Sequence, residues 1–302
     1  EHLKPQMKSV EDYETLQGQV TGVEKKQLPH MLATTNLILH GMNVPQIRHD
    51  NTLNRPYNEY QAKDRVDVIL TNPPFGGQEE DGIEKNFPSQ FQTRETADLF
   101  LVLIMRLLKE GGRCAIVLPD GFLFGEGMKT RLKEKLLEEC NLHTIVRLPN
   151  GVFNPYTGIK TNLLFFTKGQ PTENIWYYEH PYPEGYKNYS KTRPMTFAEF
   201  QTEIDWWGDE ADGFASREET HQAWKVSIDE IKARNYNLDI KNPWQGEQIS
   251  HDPDELLAKY TQQQAEIQEL RDQLKTILGD ALGNAAEDQA AQEMPREEKE
   301  QA

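Results

Sequence analysis

RVDVILT (65–71) running into NPPFGG (72–77) decides how the chain is read. The first part is strand-like, Val66-Asp67-Val68-Ile69-Leu70. The second cannot continue a sheet, because proline has no N–H to give a ladder. The plainest reading of the Pro pair is a strand stop. With Asn72 before it and Phe75 after it, the tetrapeptide also reads as a clamp for a planar nitrogen.

Such a nitrogen is a poor nucleophile, since its lone pair is delocalised into a ring or carbonyl. A site that alkylates it must accept hydrogen bonds from its N–H groups and hold its plane still. Asn72 offers a side-chain carbonyl, and Pro73 a backbone carbonyl with no competing N–H. Two prolines limit backbone freedom, so the acceptors are preorganised. Phe75 offers a stacking face, worth roughly 1–3 kcal/mol per base. Gly76 and Gly77 let the chain turn away. A sulfonium methyl donor needs no general base here, because the proton can leave after transfer.

Outward from this stretch, strand-like and helix-like segments alternate. GQVTGVE (18–24), VPQIRHD (44–50), RCAIVLP (113–119), HTIVRLP (143–149) and TNLLFFT (161–167) read as strands. Residues 25–41, 96–112 and 127–140 read as helices, with Gly41 and Gly111 as stops. The order implies an α/β fold with a mostly parallel sheet, one of its last two strands antiparallel. Glu24 and Asp50 end two successive strands, and Asn72 sits just past the third. Each acid alone is commonly an exposed or capping residue. Together, at carboxyl ends of successive strands, the three suit a nucleoside: acids for ribose hydroxyls and an adenine amine, an amide for the reacting group.

Residues 1–17 are polar with no clear element, 18–170 form the α/β part, and 171–251 read as an irregular arm with aromatic anchors. Asp252-Pro253 opens a helix to 282. Leu256, Tyr260, Gln263, Ile267, Leu270, Leu274 and Ile277 form a heptad seam in it. Residues 283–302 have the composition of a disordered tail. The net charge of −16 allows at most a local basic face, so a nucleic-acid substrate would need a partner to supply phosphate contacts. No run is apolar and long enough for a membrane span, and Cys114 and Cys140 read as free thiols in a reducing cytoplasm. The His and Cys spacings fit no metal site.

NPPF after a strand is similar to the catalytic motif of S-adenosylmethionine-dependent amino-methyltransferases. TGVEKKQLPHMLATTNLILHG, HDNTL, TNPPFGG, ADLFLVLIMRLLKEGGRCAIVLPDGFLFG, IVRLPNGVFNPYTGIKTNLLFFTKG and ARNYNLDIKNP together resemble the modification (M) subunit of type I restriction-modification systems. These are DNA adenine-N6 methyltransferases, and the resemblance covers about residues 18–282. It implies a Rossmann-like methyltransferase sheet, incomplete at its N-terminal side, with a C-terminal helical extension. Glu24 then matches the ribose-binding acid and Asp50 the acid at the cofactor adenine. Asn72, Pro73, Pro74 and Phe75 match the catalytic motif. NPYTGIKTN (154–162), with Tyr156, Thr157, Lys160 and Asn162, matches the target-base pocket. The implied cofactor is S-adenosyl-L-methionine. The implied partners are DNA, a specificity (S) subunit, a second M subunit and a restriction (R) subunit. The heptad is a candidate docking helix for the S subunit.

One departure is large. The family's Gly-rich motif for the methionine end of the cofactor precedes the first acid, and residues 1–23 contain nothing of the kind. LFGEG (123–127) lies downstream of NPPF and reads as a loop. The chain thus reads as the C-terminal part of an M subunit, expected to bind the cofactor weakly or not at all. Protein-glutamine and ribosomal-RNA guanine-N2 methyltransferases also use Asn-Pro-Pro-aromatic. They stay open as alternatives, as does a non-catalytic module that binds the S subunit.

Overall fold

The computed structural model describes residues 4–244 and ten positions between 257 and 274. It divides into two compact units, Glu1–Trp244 and Gln245–Ala302.

The first unit opens with helix α1 (Val10–Gln19), where the sequence showed no clear element. Ser9 caps it: the Ser9 hydroxyl accepts from the Asp12 N–H at 3.1 Å, and the Asp12 carboxylate accepts from the Ser9 N–H at 3.0 Å. Strands β1 (Thr21–Glu24) and β2 (Gln46–His49) flank helix α2 (Gln27–Leu39) and pair in parallel. They form a separate two-stranded sheet, not an edge of the main one. None of α1, β1, α2 or β2 contains a buried residue. Two strands offer α2 too little apolar surface, so Leu28, Met31 and Leu32 stay more than half exposed.

The main sheet has six strands in the order β3-β4-β6-β5-β7-β8. They are β3 (Val66–Thr71), β4 (Leu108–Pro119), β5 (Cys140–Arg147), β6 (Thr161–Lys168), β7 (Asn174–Glu179) and β8 (Ala223–Ser227). β3 runs parallel to β4, and β6 is inserted antiparallel between β4 and β5, as the missing crossover helix implies. Helices α3 (Thr96–Leu107), α4 (Asp120–Phe124) and α5 (Met128–Glu139) fill the crossovers, and short helices α6 (Gln201–Trp206) and α7 (Ile228–Ala233) follow. α3 buries Leu99, Leu101, Val102, Leu103 and Met105 almost completely. Each such side chain contributes roughly 1.5–3 kcal/mol of transfer free energy, so the core lies here and not around β1 and β2.

Three boundaries differ from the sequence reading. α3 ends at Leu107 and the strand begins at Leu108, because the KEGG turn with Gly111 at φ +75° falls inside the β4 span. Nor is the arm after residue 171 irregular throughout, since it supplies β7 and β8. Its aromatics form part of the core: Tyr177 stacks on Trp224 (5.4 Å, 11° between planes), and both are buried. Runs of five or six residues among Tyr and Pro leave too short a pattern to mark a strand by periodicity.

In the second unit the ten described positions are helical, within the segment expected to be a heptad helix. Tyr260, Ile267, Leu270 and Leu274 are exposed there. Leu256, Gln263 and Ile277 of the heptad, and the tail 283–302, lie outside the described residues.

Candidate active site

β3 delivers Asn72–Phe75 to the carboxyl end of the sheet. Pro73 is buried and Asn72 exposed, so the backbone is gripped while the amide faces solvent. Gly76 turns the chain at φ +64°, a conformation that a side chain would strain. The segment then returns to α3, where the Thr96 N–H donates to the Gly77 carbonyl at 3.0 Å. Phe75 is half-buried and meets Phe153 edge-on, centroids 5.1 Å apart. That contact joins the clamp to the loop between β5 and β6.

Glu24 ends β1 and Asp50 directly follows its partner β2, and the Asp50 N–H donates to the Glu24 carbonyl at 3.1 Å. Their carboxylates are partly engaged: Glu24 Oε1 accepts from the Lys26 N–H (2.7 Å) and Asp50 Oδ1 from the Asn51 N–H (2.8 Å). What ties these strand ends to the clamp is Glu79, seven residues past Asn72 and almost fully buried. Its carboxylate accepts from Lys25 Nζ (3.2 Å), Asn51 Nδ2 (3.1 Å) and Thr96 Oγ1 (3.3 Å). Partial burial opposes the charge on Lys25, but hydrogen bonds to Glu79 and Glu80 outweigh it and raise its pKa. Glu79 therefore joins the residue after Glu24, the residue after Asp50 and the helix behind the clamp.

The predicted base-pocket residues differ in exposure and in partners. Tyr156 is 92% exposed, Thr157 caps a local turn by accepting from the Ile159 N–H (3.1 Å), and Lys160 is half-buried. Asn162 is fully buried and donates from Nδ2 to Asp120 Oδ1 at 2.7 Å, so it holds the foot of the loop and faces no solvent. The Asp120 N–H also donates to the Lys160 carbonyl (2.9 Å). Beside Asn162, buried Arg147 donates to Asp239 Oδ1 and the Ile240 carbonyl, both at 2.7 Å. Burial works against the Asp239 carboxylate, but the charges of Arg147 and Lys241 outweigh it and lower its pKa.

Sequence reasoning missed Glu79, Phe153, Asp120 and Arg147. The signal for Phe153 was its place in VFNPY, one residue before the quoted pocket segment. Glu79 carried no signal, because its three partners come from three separate segments. Cys114 and Cys140 are free and buried, and burial pushes Cys140 up to about 12, so neither supplies a thiolate nucleophile near neutral pH.

The N-6 DNA methylase family model matches residues 2–252. The chain is 72% identical to the type I restriction enzyme EcoEI methylase subunit of Escherichia coli over 93% of this chain and 58% of that protein. It is 31% identical to the StySJI methylase subunit of Salmonella typhimurium over 72% of this chain and 43% of that protein. A solved structure described as showing complex assembly and conformational transition of the type I R-M system superposes with a TM-score of 0.76. It shares 38% identity and covers 92% of this chain and 58% of that one. The chain thus spans about half the length of the curated relatives it matches.

Proposed function

The chain belongs to the N-6 DNA methylase family, and from that premise we propose that it is the part of a type I methylase subunit that receives the target adenine and presents its N6 amine. The observation that carries this reading is the clamp itself: exposed Asn72 on a backbone fixed by buried Pro73, with Phe75 braced edge-on by Phe153.

Asn72 Oδ1 and the Pro73 carbonyl accept the two N–H groups of the amine. This holds the base plane and favours a pyramidal nitrogen. Phe75 stacks on the ring. An adenine inside a duplex hides that amine, so the base must be flipped out. The family match and the relatives named above do not support the two compact alternatives, protein-glutamine and ribosomal-RNA guanine methylation.

S-adenosylmethionine supplies, when bound, the electrophilic methyl group. The donor set fits the nucleoside part of that cofactor. Glu24 and Asp50 lie at neighbouring strand ends and offer carboxylate oxygens for hydroxyls and an exocyclic amine. Glu79 keeps those ends in register with the clamp.

The exposed Tyr260, Ile267, Leu270 and Leu274 suit the helix for docking a specificity subunit. A second methylase subunit and a restriction subunit complete the cytoplasmic assembly. The deciding experiment is methyl transfer to an adenine-containing duplex by the full-length polypeptide with its specificity subunit. Asn72→Ala should abolish transfer while leaving duplex binding in place. Transfer at the wild-type rate would reject the clamp.

A further inference from the structure

The turn-rich segment 182–193 lies against the loop that carries Phe153. Tyr182 Oη donates to the Asn150 carbonyl (2.9 Å), and Asn154 Nδ2 donates to the Tyr189 carbonyl (2.9 Å). Gly151 has φ +80°, and a Cβ there would lie 2.0 Å from Asn188 Oδ1. Loop and segment are therefore packed together without slack. Since Phe153 touches Phe75, the segment stands one contact from the clamp.

Its charge is unlike that of the chain. Residues 186–195, YKNYSKTRPM, carry three cations and no acid, in a protein with 33 basic and 49 acidic residues. The backbone projects them. Ser190 and Arg193 exchange two N–H···O bonds of 3.1 Å each, which places Lys191 and Thr192 at the tip of a tight turn. Lys187, Lys191 and Arg193 are exposed, and among the described residues none of the three forms an ion pair. Among the described residues Lys160, at the far end of the same loop, also forms no ion pair. The segment is anchored by its tyrosines: buried Tyr189 lies 5.5 Å from Tyr182 and 6.0 Å from Tyr186 between centroids, and Arg193 sits 5.6 Å over Tyr186. Among the described residues Lys187 and Lys191 make no side-chain hydrogen bond, ion pair or ring contact, so neither takes part in that packing. Holding like charges together without acids costs repulsion that an anionic partner removes.

We infer that Lys187, Lys191 and Arg193 form a face that contacts the phosphate backbone of the duplex whose base the clamp receives. The inference rests on the function proposed above and names where the chain itself touches DNA. An acidic protein surface is the competing occupant. Position favours the duplex, because the loop this segment packs against carries Phe153, which touches Phe75 of the clamp.

The test is fluorescence anisotropy of labelled duplexes, one with and one without the recognition site, across a salt series, with the full-length polypeptide assembled with its specificity subunit. The combined Lys187→Gln, Lys191→Gln, Arg193→Gln variant should flatten the slope of log affinity against log salt by about 2–3, near 0.9 per lost phosphate contact. Both duplexes should lose affinity equally, since phosphates carry no sequence information. Lys63→Gln, at the opposite end of β3, and the charge-keeping combination Lys187→Arg, Lys191→Arg, Arg193→Lys should keep the wild-type slope. A wild-type slope in the neutralised variant overturns the inference and leaves the clamp standing if the wild type still transfers methyl groups. Loss of subunit co-purification without a change of slope overturns it in favour of a protein partner. A wild-type assembly that binds no duplex overturns both readings.

Discussion

Glu79→Ala tests whether one buried carboxylate holds the β1–β2 sheet to the clamp. The substitution removes three hydrogen bonds at 3.1–3.3 Å. The bond to Lys25 counts for little, at most about 1 kcal/mol, because that side chain is 44% exposed. The bonds from Asn51 and Thr96 to a buried carboxylate are each stronger, and buried Thr96 is left without its acceptor. The total is about 2–4 kcal/mol. That loss falls on local opening, because β1, β2 and α2 bury nothing of their own. Hydrogen–deuterium exchange by mass spectrometry reads it. Peptides over 21–24 and 46–49 should exchange roughly thirtyfold faster or more, at about tenfold per 1.4 kcal/mol. Peptides over 113–119 and 140–147 should be unchanged. Glu79→Gln keeps one acceptor oxygen and should recover about half the protection. Equal acceleration in both sheets, or none at 21–24, refutes the reasoning.

Phe153→Leu removes the edge-on brace of Phe75, worth about 0.5–1.5 kcal/mol, and should lower kcat/KM for methyl transfer by up to about tenfold with the unfolding midpoint barely moved. Arg147→Met leaves the Ile240 carbonyl without its donor and Asp239 with Lys241 alone, and should cost about 3 kcal/mol in urea unfolding. Burial, and then the charge of Arg217, push the His143 imidazole down to about 3, so the folded chain keeps it neutral while the unfolded chain protonates it near 6.5. Its contribution is intact above about pH 6.5 and falls by about 1.4 kcal/mol per pH unit down toward pH 3; His143→Phe should flatten that part of the stability profile. Deleting 252–302 should abolish co-purification with the specificity subunit while β3–β8 remain folded by circular dichroism; unchanged co-purification rejects the docking role.

Much of the fold was legible because its signals are local. Pro73 and Pro74 end a strand by removing ladder donors, the continuous apolar run of α3 needs burial on all sides, and the absence of a helix between β5 and β6 dictates an antiparallel neighbour. The positions of the acids and of Asn-Pro-Pro-Phe relative to the strands were legible for the same reason, as each is a side chain set at a fixed offset from a strand end. β7 and β8 were not legible. Their runs are short, and they are strands only because β5 offers an open edge and Trp224 finds Tyr177.

By itself, then, the sequence determined which polar and aromatic groups follow the strand ends and where along the chain they lie. The tertiary structure decided which of them meet. Glu79 finds Lys25 and Asn51 across 54 and 28 residues, and Arg147 finds Asp239 across 92. Folding also buried Asn162 against Asp120 and put Phe153 against Phe75. Such pairings depend on how strands are ordered and how far each side chain is stripped of water, and no spacing within a single segment encodes either.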